Sequence, residues 1–321
     1  MATAAASAWT LGAREALADA IDVEKLQSSP LRSLFTMPWG PGRGQIGHSP
    51  ARESAPLGPA SLFVTADHDV HVLDVVNDRI VSFDPKGAFT QITPLPVKPG
   101  VAREFIDFAA LEKNHFVVVE RVSSRLLVLS GGTGTVSTTT SFAQVPSLKT
   151  PGLVSSLHVD NGTRHWLEAE GRHHRVEPAK DDKDVAVLPG TPSPDGRGSL
   201  VARLERPRNV KIVRGGSTGG LFAELHFARD VGHVQSFDLT PLGGAWIAVE
   251  THEERKTAPF DILKTFLTVI QLAADGTPTA RFKIPNSTDD GEVRRPSRLG
   301  RDGRFYALVR TKRGASVYVT P

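Results

Sequence analysis

The sequence predicts an all-β chain, a six-bladed β-propeller with a short N-terminal helix and an N-terminal strand that closes the last blade. Three observations carry this expectation. The 321 residues hold 29 glycines and 23 prolines, above the ~12% usual for soluble proteins, so turns are frequent. After about residue 31, short apolar runs alternate with turn residues in units of four. The final unit stops one strand short, while an unassigned apolar run stands near the front.

The helix is expected over 11–27, LGAREALADAIDVEKLQ. Ala13, Ala16, Leu17, Ala20 and Ile21 recur there at helical spacing. Ser28-Ser29-Pro30 should end it, because the residue before a proline is pushed out of the helical region. Residues 1–30 are therefore read as tail and helix, and 31–321 as a single propeller domain.

The clearest four-strand unit comprises Ser61–Thr65, Val70–Asp74, Ile80–Phe83 and Phe89–Ile92, joined by Asp67-His68-Asp69 and Asp84-Pro85-Lys86-Gly87 turns. A second comprises Phe105–Ala109, Phe116–Glu120, Arg125–Leu129 and Gly134–Thr139. The third comprises Val154–Val159, Arg164–Ala169, His173–Glu177 and Val185–Leu188. A fourth has Ser199–Leu204, Asn209–Val213 and Leu221–Phe227. The fifth has Val234–Leu239, Ala245–Glu250, Thr265–Leu272 and Thr277–Ile284. The sixth has only Ser297–Leu299, Phe305–Arg310 and Ser316–Thr320. A propeller leaves no long open sheet edge, so 31–37, LRSLFTM, is expected to supply the missing outer strand. Segments 178–198 and 251–263 read as insertions.

Composition excludes several classes. No apolar run approaches the ~18 residues of a membrane helix. Without cysteine there is no disulfide scaffold and no thiolate metal site. The 38 Lys+Arg against 35 Asp+Glu form no basic stripe of the kind nucleic-acid proteins carry. The densest basic groups, Arg294-Arg295, Arg298, Arg301 and Lys312-Arg313, read as solvated rim loops. The start, MATAAASAWT, lacks the basic and apolar regions of an intact secretory signal. It matches what remains after such a signal is removed, and an extracellular or periplasmic location is favoured over a cytoplasmic one. The residues name no cofactor.

Three glycine-rich matches fail on context. Gly42-x-Gly44-x-x-Gly47 lacks the flanking strand and helix of a dinucleotide fold. Gly215-Gly216-Ser217-Thr218-Gly219 lacks the helix that follows a nucleophile elbow. Gly131-Gly132-Thr133-Gly134 lacks the phosphate-loop lysine. All three are expected to be loops or hairpin tips.

The run Gly40-Pro41-Gly42-Arg43-Gly44-Gln45, then Gly58-Pro59, Val70-His71-Val72-Leu73-Asp74, Asn77-Asp78-Arg79-Ile80-Val81, Phe83-Asp84 and Gly87 resembles an NHL-repeat blade. The resemblance covers about 45 residues and implies a six-bladed propeller. It implies no single activity, since that superfamily holds binding modules, lactonases, lyases and dehydrogenases. The quoted residues themselves read as structural. Asp74 is placed to cap a turn, Asn77 to take a left-handed backbone, Arg79 to brace strands and Gly87 to supply a positive φ.

Polar residues on the expected inner strands are Glu104, Asp107, His158, His233 and Gln235. Carboxylate and neutral imidazole suit divalent metals, so Glu104, His158 and His233 are candidates for a metal-dependent lactonase-like hydrolase or lyase at the central channel mouth. Against this, such residues in any propeller also bind only water. Trp9 and Trp39 either dock on the propeller or mark a partner surface, whereas Trp166 and Trp246 should pack between blades. Glu250-Thr251-His252-Glu253-Glu254 opens the charged insertion. The favoured reading is a non-catalytic binding or scaffold propeller. It would engage a protein or polysaccharide through rim loops, with Trp39, Glu104, His158, His233 and His252 as binding residues.

Overall fold

The computed structural model describes residues 20–50, 57–111, 114–160, 164–177, 186–194, 198–215, 219–258, 261–288 and 293–321. Its strands form six sheets, the blades of a six-bladed β-propeller. No helix among the described residues is long and apolar enough to cross a membrane. The chain divides into two compact units. One holds residues up to Pro30 with Leu188–Lys283, and the other Leu31–Val187 with Ile284–Pro321.

The larger unit contains blades 1, 2 and 6 and the first three strands of blade 3. Blade 1 is Ser61–Val64, Val70–Asp74, Arg79–Phe83 and Phe89–Pro94 in antiparallel order. Blade 2 is Phe105–Ala110, His115–Glu120, Arg125–Ser130 and Val136–Ser141. Blade 3 begins with Val154–Val159, His165–Ala169 and Arg172–Arg175, and its outer strand is Val187–Pro189. The expected completion of blade 6 is present. Arg32–Pro38 pairs antiparallel with Gly314–Val319, setting Phe35 opposite Val317 and Met37 opposite Ala315. Apolar aliphatic and aromatic side chains fill the spaces between sheets. Leu73, Ile80, Phe108, Phe116 and Leu157 share one core, and Met37, Leu62, Val72, Tyr306 and Val317 another. Each fully buried Val, Leu or Phe stabilises by roughly 1.5–3 kcal/mol.

The smaller unit holds blade 4 (Thr191–Pro192, Ser199–Arg206, Asn209–Arg214, Leu221–His226) and blade 5 (Asp230–Leu239, Ala245–Glu254, Ile262–Leu272 and, apart from its last residue, Pro278–Ile284). Here the expected N-terminal helix is corrected. Over its described part, Ile21–Asp22 is a strand lying parallel on Leu225–His226, followed by a single 3-10 turn at Val23–Lys25. Ser28–Pro30 adds in parallel to Arg281–Lys283. The open edges of blades 4 and 5 capture this segment, and Arg281 fixes it through the Val23 carbonyl at 3.0 Å and Glu24 at 2.6 Å. Local helical spacing loses to the unpaired backbone of two sheet edges. The start of the helical stretch, and Trp9, lie outside the described residues.

The blade-1 residues that carry the sequence resemblance form one buried knot. Asp74 Oδ1 accepts from the Gly47 and Asn77 amides at 3.0 and 3.3 Å. Its Oδ2 accepts from Asn77 Nδ2 at 2.8 Å and Arg79 Nε at 2.9 Å. The Arg79 guanidinium donates to the carbonyls of Pro41, Gly42 and Gln45. The Gly42-x-Gly44-x-x-Gly47 run is thus the loop wrapped around Arg79. A Cβ on Gly47 would sit 2.5 Å from Asp74 Oδ1. The left-handed turn residue is Asp78 (φ 51), one place after the expected Asn77, whose side chain is held by Asp74 and the Gly40 carbonyl. Gly87 has φ 84 as expected, with no room for a Cβ against Phe35.

The Gly215–Gly219 run joins antiparallel strands Asn209–Arg214 and Leu221–His226, so no strand-to-helix elbow exists there, although 216–218 lie outside the described residues. Gly131–Gly134 is the tip of the outer hairpin of blade 2. Segment 251–263 is corrected in part: Thr251–Glu254 and Ile262–Leu263 are strand and lengthen the central blade-5 hairpin, while 255–258 and 261 are loop and 259–260 lie outside the described residues. Residues 178–185 and 195–197 of the other insertion lie outside the described residues.

Truncating Asp74 to Ala should strand the buried Arg79 charge and cost about 3 kcal/mol or more. Chemical denaturation of Asp74→Ala beside the wild type measures it, and a loss below about 1 kcal/mol would contradict the knot's role.

Candidate functional site

In the larger unit, the first strands of blades 6, 1, 2 and 3 lie side by side. A bulge between Phe105 and Asp107 re-aims the blade-2 strand and leaves Asp107 fully buried. Its Oδ1 accepts from the Phe108 amide at 2.9 Å, and its Oδ2 from the Leu157 amide at 2.9 Å. Arg298, from Ser297–Leu299, donates to both oxygens at 3.2 and 3.0 Å. Arg295 donates to Oδ2 at 3.0 Å. Arg298 also reaches the carbonyls of Leu62 (3.0 Å), Phe108 (2.9 Å) and Leu157 (3.2 Å) and lies over the Phe63 ring. Arg295 is placed by its backbone N–H, which donates to the Ala60 carbonyl at 3.0 Å, and its side chain donates to Leu157 O at 2.7 Å.

Burial pushes the Asp107 carboxyl upward. Arg298, Arg295 and the two amides outweigh that and hold it below the usual carboxylate range. His158, next to Leu157, is pushed down to about 3 by burial and then by Arg295 and Arg298, against the pull of Asp107. It is a neutral ring edge-on to His173 at 6.1 Å and opposite Trp166 across the strand pair. Glu168 is raised by burial, with the Gly171 amide and Arg295 drawing it back.

The reading of Arg295 and Arg298 as solvated rim residues is therefore corrected: Arg298 is buried and Arg295 nearly so. The sequence did carry a signal. Arg298 falls inside the short strand Ser297–Leu299, where a side chain faces a neighbouring blade. Arg301 likewise lies over Phe63 and donates to the Leu111 carbonyl.

Glu104 receives Arg121 through both oxygens at 2.8 and 2.6 Å and also touches Arg294. A dication at Glu104 or His158 would stand beside guanidinium groups, a repulsive arrangement. His233 belongs to the smaller unit, where it is exposed and its Nδ1 lies 3.6 Å from Glu250 Oε1. Among the described residues, no group of three or more His, Asp or Glu is gathered as a metal cage. Gln235 is half-buried on the same strand as His233. Trp39 is half-buried, donates to the Thr311 carbonyl at 2.9 Å and stacks on His48 at 4.7 Å. Trp166 and Trp246 are buried, the latter 5.9 Å from Phe282.

His252 sits on the extended blade-5 hairpin, with Nε2 3.0 Å from Glu254. The hairpin strands run 10 and 11 residues, against 5 each for the matching pair in blade 1. Glu253 faces Lys264 across it. Arg229 lies 4.0 Å above the Phe266 ring and pairs with Glu253 at 2.8 Å. At the far end Ile262 and Leu263 are 57% and 59% exposed.

Two tests follow from the buried cluster. Asp107→Asn should cost about 3–5 kcal/mol, because Arg298 loses its counter-charge in place, whereas Asp107→Leu/Arg298→Met should recover part of that loss. Urea denaturation reads both, and a double variant as unstable as the single would oppose the argument. The second concerns pH. His71, hydrogen bonded to Ser82 and edge-on to Phe116, is lowered to about 4 by burial, as His158 is to about 3. An unfolded histidine titrates near 6.5, so below that pH the unfolded chain binds protons the folded chain refuses. Stability should fall as the pH drops, by about 1.5 kcal/mol per histidine between pH 6.5 and 5. A melting series with His71→Phe should show a clearly shallower slope, and an unchanged slope would refute the assignment.

No protein-family model matches the chain, the NHL-repeat models included, and no curated protein sequence does. Several solved structures are similar to the chain at low identity. The calcium-binding protein regucalcin from Agrobacterium tumefaciens is 10% identical over 81% of this chain and 89% of its own, with a TM-score of 0.49. A streptogramin B lyase is 13% identical over 81% and 92%, with a TM-score of 0.42. Hydrazine synthase of Kuenenia stuttgartiensis is 11% identical over 80% and 75%, with a TM-score of 0.46.

Proposed function

We propose that this protein is a non-catalytic binding propeller that engages a protein partner through the extended blade-5 hairpin. The observation that carries the reading is the hairpin itself. Its far end presents Ile262 and Leu263 to solvent, and such a projection contributes little to the core of its own blade. Ile262 is paired with Glu254 and Leu263 sits at the register shift beside it; apolar side chains held on strand backbone make an economical anchor, since less backbone entropy remains to be lost on binding. Lys264, Arg229, Glu253, His252 and His233 supply a mixed polar rim around that anchor.

The polar residues of the larger unit support the same reading from the other side. A general base or metal ligand needs a carboxylate or imidazole with a free lone pair facing substrate. Asp107 is saturated by amides and guanidiniums, and Glu104 is held by Arg121 and Arg294. Both act as structural anions in this reading.

Ile262→Asp/Leu263→Asp should leave the melting temperature unchanged, because both side chains are exposed. A photo-crosslinker at Leu263 should join one defined protein from the source cells, and that product should vanish in the presence of excess wild-type chain but persist with excess double variant. Equal competition by both would remove the hairpin from the interface. The competing reading, a metal-dependent lactonase-like hydrolase or lyase, requires uptake of a divalent cation with a rise in melting temperature. That result would overturn the proposal.

A further inference from the structure

We infer that the outer edge of blade 2 pairs with the same edge of a second copy of this chain, giving an antiparallel two-fold dimer. The strand is Val136–Ser141, VSTTTS, and all six residues are exposed. It carries no charge and no proline. Those are two of the devices by which natural proteins keep an edge strand from pairing.

The other blades in the described structure manage their outer edges differently. Blades 4 and 5 cover theirs with Ile21–Asp22 and Ser28–Pro30. The outer strand of blade 6 carries Arg32 and Pro38. That of blade 3 is three residues long and ends on Pro189. That of blade 1 ends on Pro94, and the Gly132 amide binds Thr93 Oγ1 there at 2.9 Å. Blade 2 alone among the described blades presents six uncharged, proline-free residues without a covering segment.

Which groups face outward follows from the ladder. Phe142 donates its amide to the Ser124 carbonyl. The register runs on through Leu126 opposite Thr140 and Val128 opposite Thr138. In an antiparallel pair, hydrogen-bonded positions alternate. Thr138 and Thr140 therefore bond inward, and the N–H and C=O of Thr139 and Ser141 point away from the blade. A bulge between Val128 and Leu129 disturbs only the Val136 end.

The composition selects the occupant. A two-fold contact sets a patch against itself, so a charged strand would meet its own charge. This strand has none. A register centred on Thr139 places Thr139 opposite its symmetry mate and Thr138 opposite Thr140, and Thr–Thr pairs across strands are favourable. Such a contact joins two blades into one eight-stranded sheet. Strand pairing alone buries less than the ~1,200 Å² of a stable interface, so the dimer should dissociate in the micromolar range.

The test is sedimentation velocity on the full chain from about 1 to about 300 µM. The wild type should shift from monomer to dimer across that range. Thr139→Lys, at an exposed position, should keep its melting temperature and raise the dimer dissociation constant at least about tenfold by setting two like charges opposite each other. Thr139→Pro removes an outward donor without breaking a bond inside the blade and should act alike. A chain monomeric throughout would overturn the inference, even if it bound a foreign peptide at this edge. So would a dimer that survives Thr139→Lys, or one abolished by Ile262→Asp/Leu263→Asp.

Discussion

The larger unit depends on one buried arrangement, the Asp107 carboxylate clasped by Arg298 and Arg295. Arg298 starts in blade 6 and reaches carbonyls of blades 1, 2 and 3, while Asp107 starts in blade 2 and accepts an amide of blade 3. Four first strands are thereby held in one relative position. Such an ion pair adds little net stability over a well-packed apolar pair, because desolvation offsets the attraction. Its consequence is geometric. A guanidinium satisfied by carbonyls from three strands tolerates only the strand spacing that brings all three within hydrogen-bond reach.

That clasp also sets the chemistry of its surroundings. Burial, reinforced by two guanidiniums, keeps the His158 imidazole neutral, and the demand of those guanidiniums on Asp107 leaves that carboxylate no free lone pair for a proton or a metal. Polar residues that would suggest catalysis in a bare sequence are thereby committed to the scaffold. The Asp74–Asn77–Arg79 knot repeats the principle at a smaller scale, with an aspartate, an arginine and a loop of carbonyls closing on one another. The external features of the molecule, the blade-5 hairpin and the blade-2 edge, can vary without disturbing either clasp.

Much of the architecture is legible in the residues, because turn chemistry and strand alternation are local. Gly87 needs a positive φ whatever surrounds it, and the apolar run at 31–37 has no partner in sequence except the incomplete last blade. The N-terminal segment misleads for a related reason. Ala16, Leu17, Ala20 and Ile21 sit at helical spacing, yet residues 21–30 lie along the edges of blades 4 and 5, where Ile21 faces Leu225 and Ser28 faces Arg281, partners far away in the chain. Segment 251–263 reads as a charged loop because nothing local says that His252 will face Thr265 and Glu253 will face Lys264.

The sequence alone determined the number of blades, the order of most strands and the pairing of the chain's two ends, since each follows from periodicity and from the cost of an open sheet edge. Only the tertiary structure decided the role of the charges. Glu104, Asp107, Arg295 and Arg298 are ordinary polar letters in the sequence, and whether a carboxylate meets solvent, a metal or a guanidinium depends on residues 50 to 191 positions apart. Electrostatic energy varies with distance and burial rather than with order along the chain, so it becomes readable only once the blades are in place.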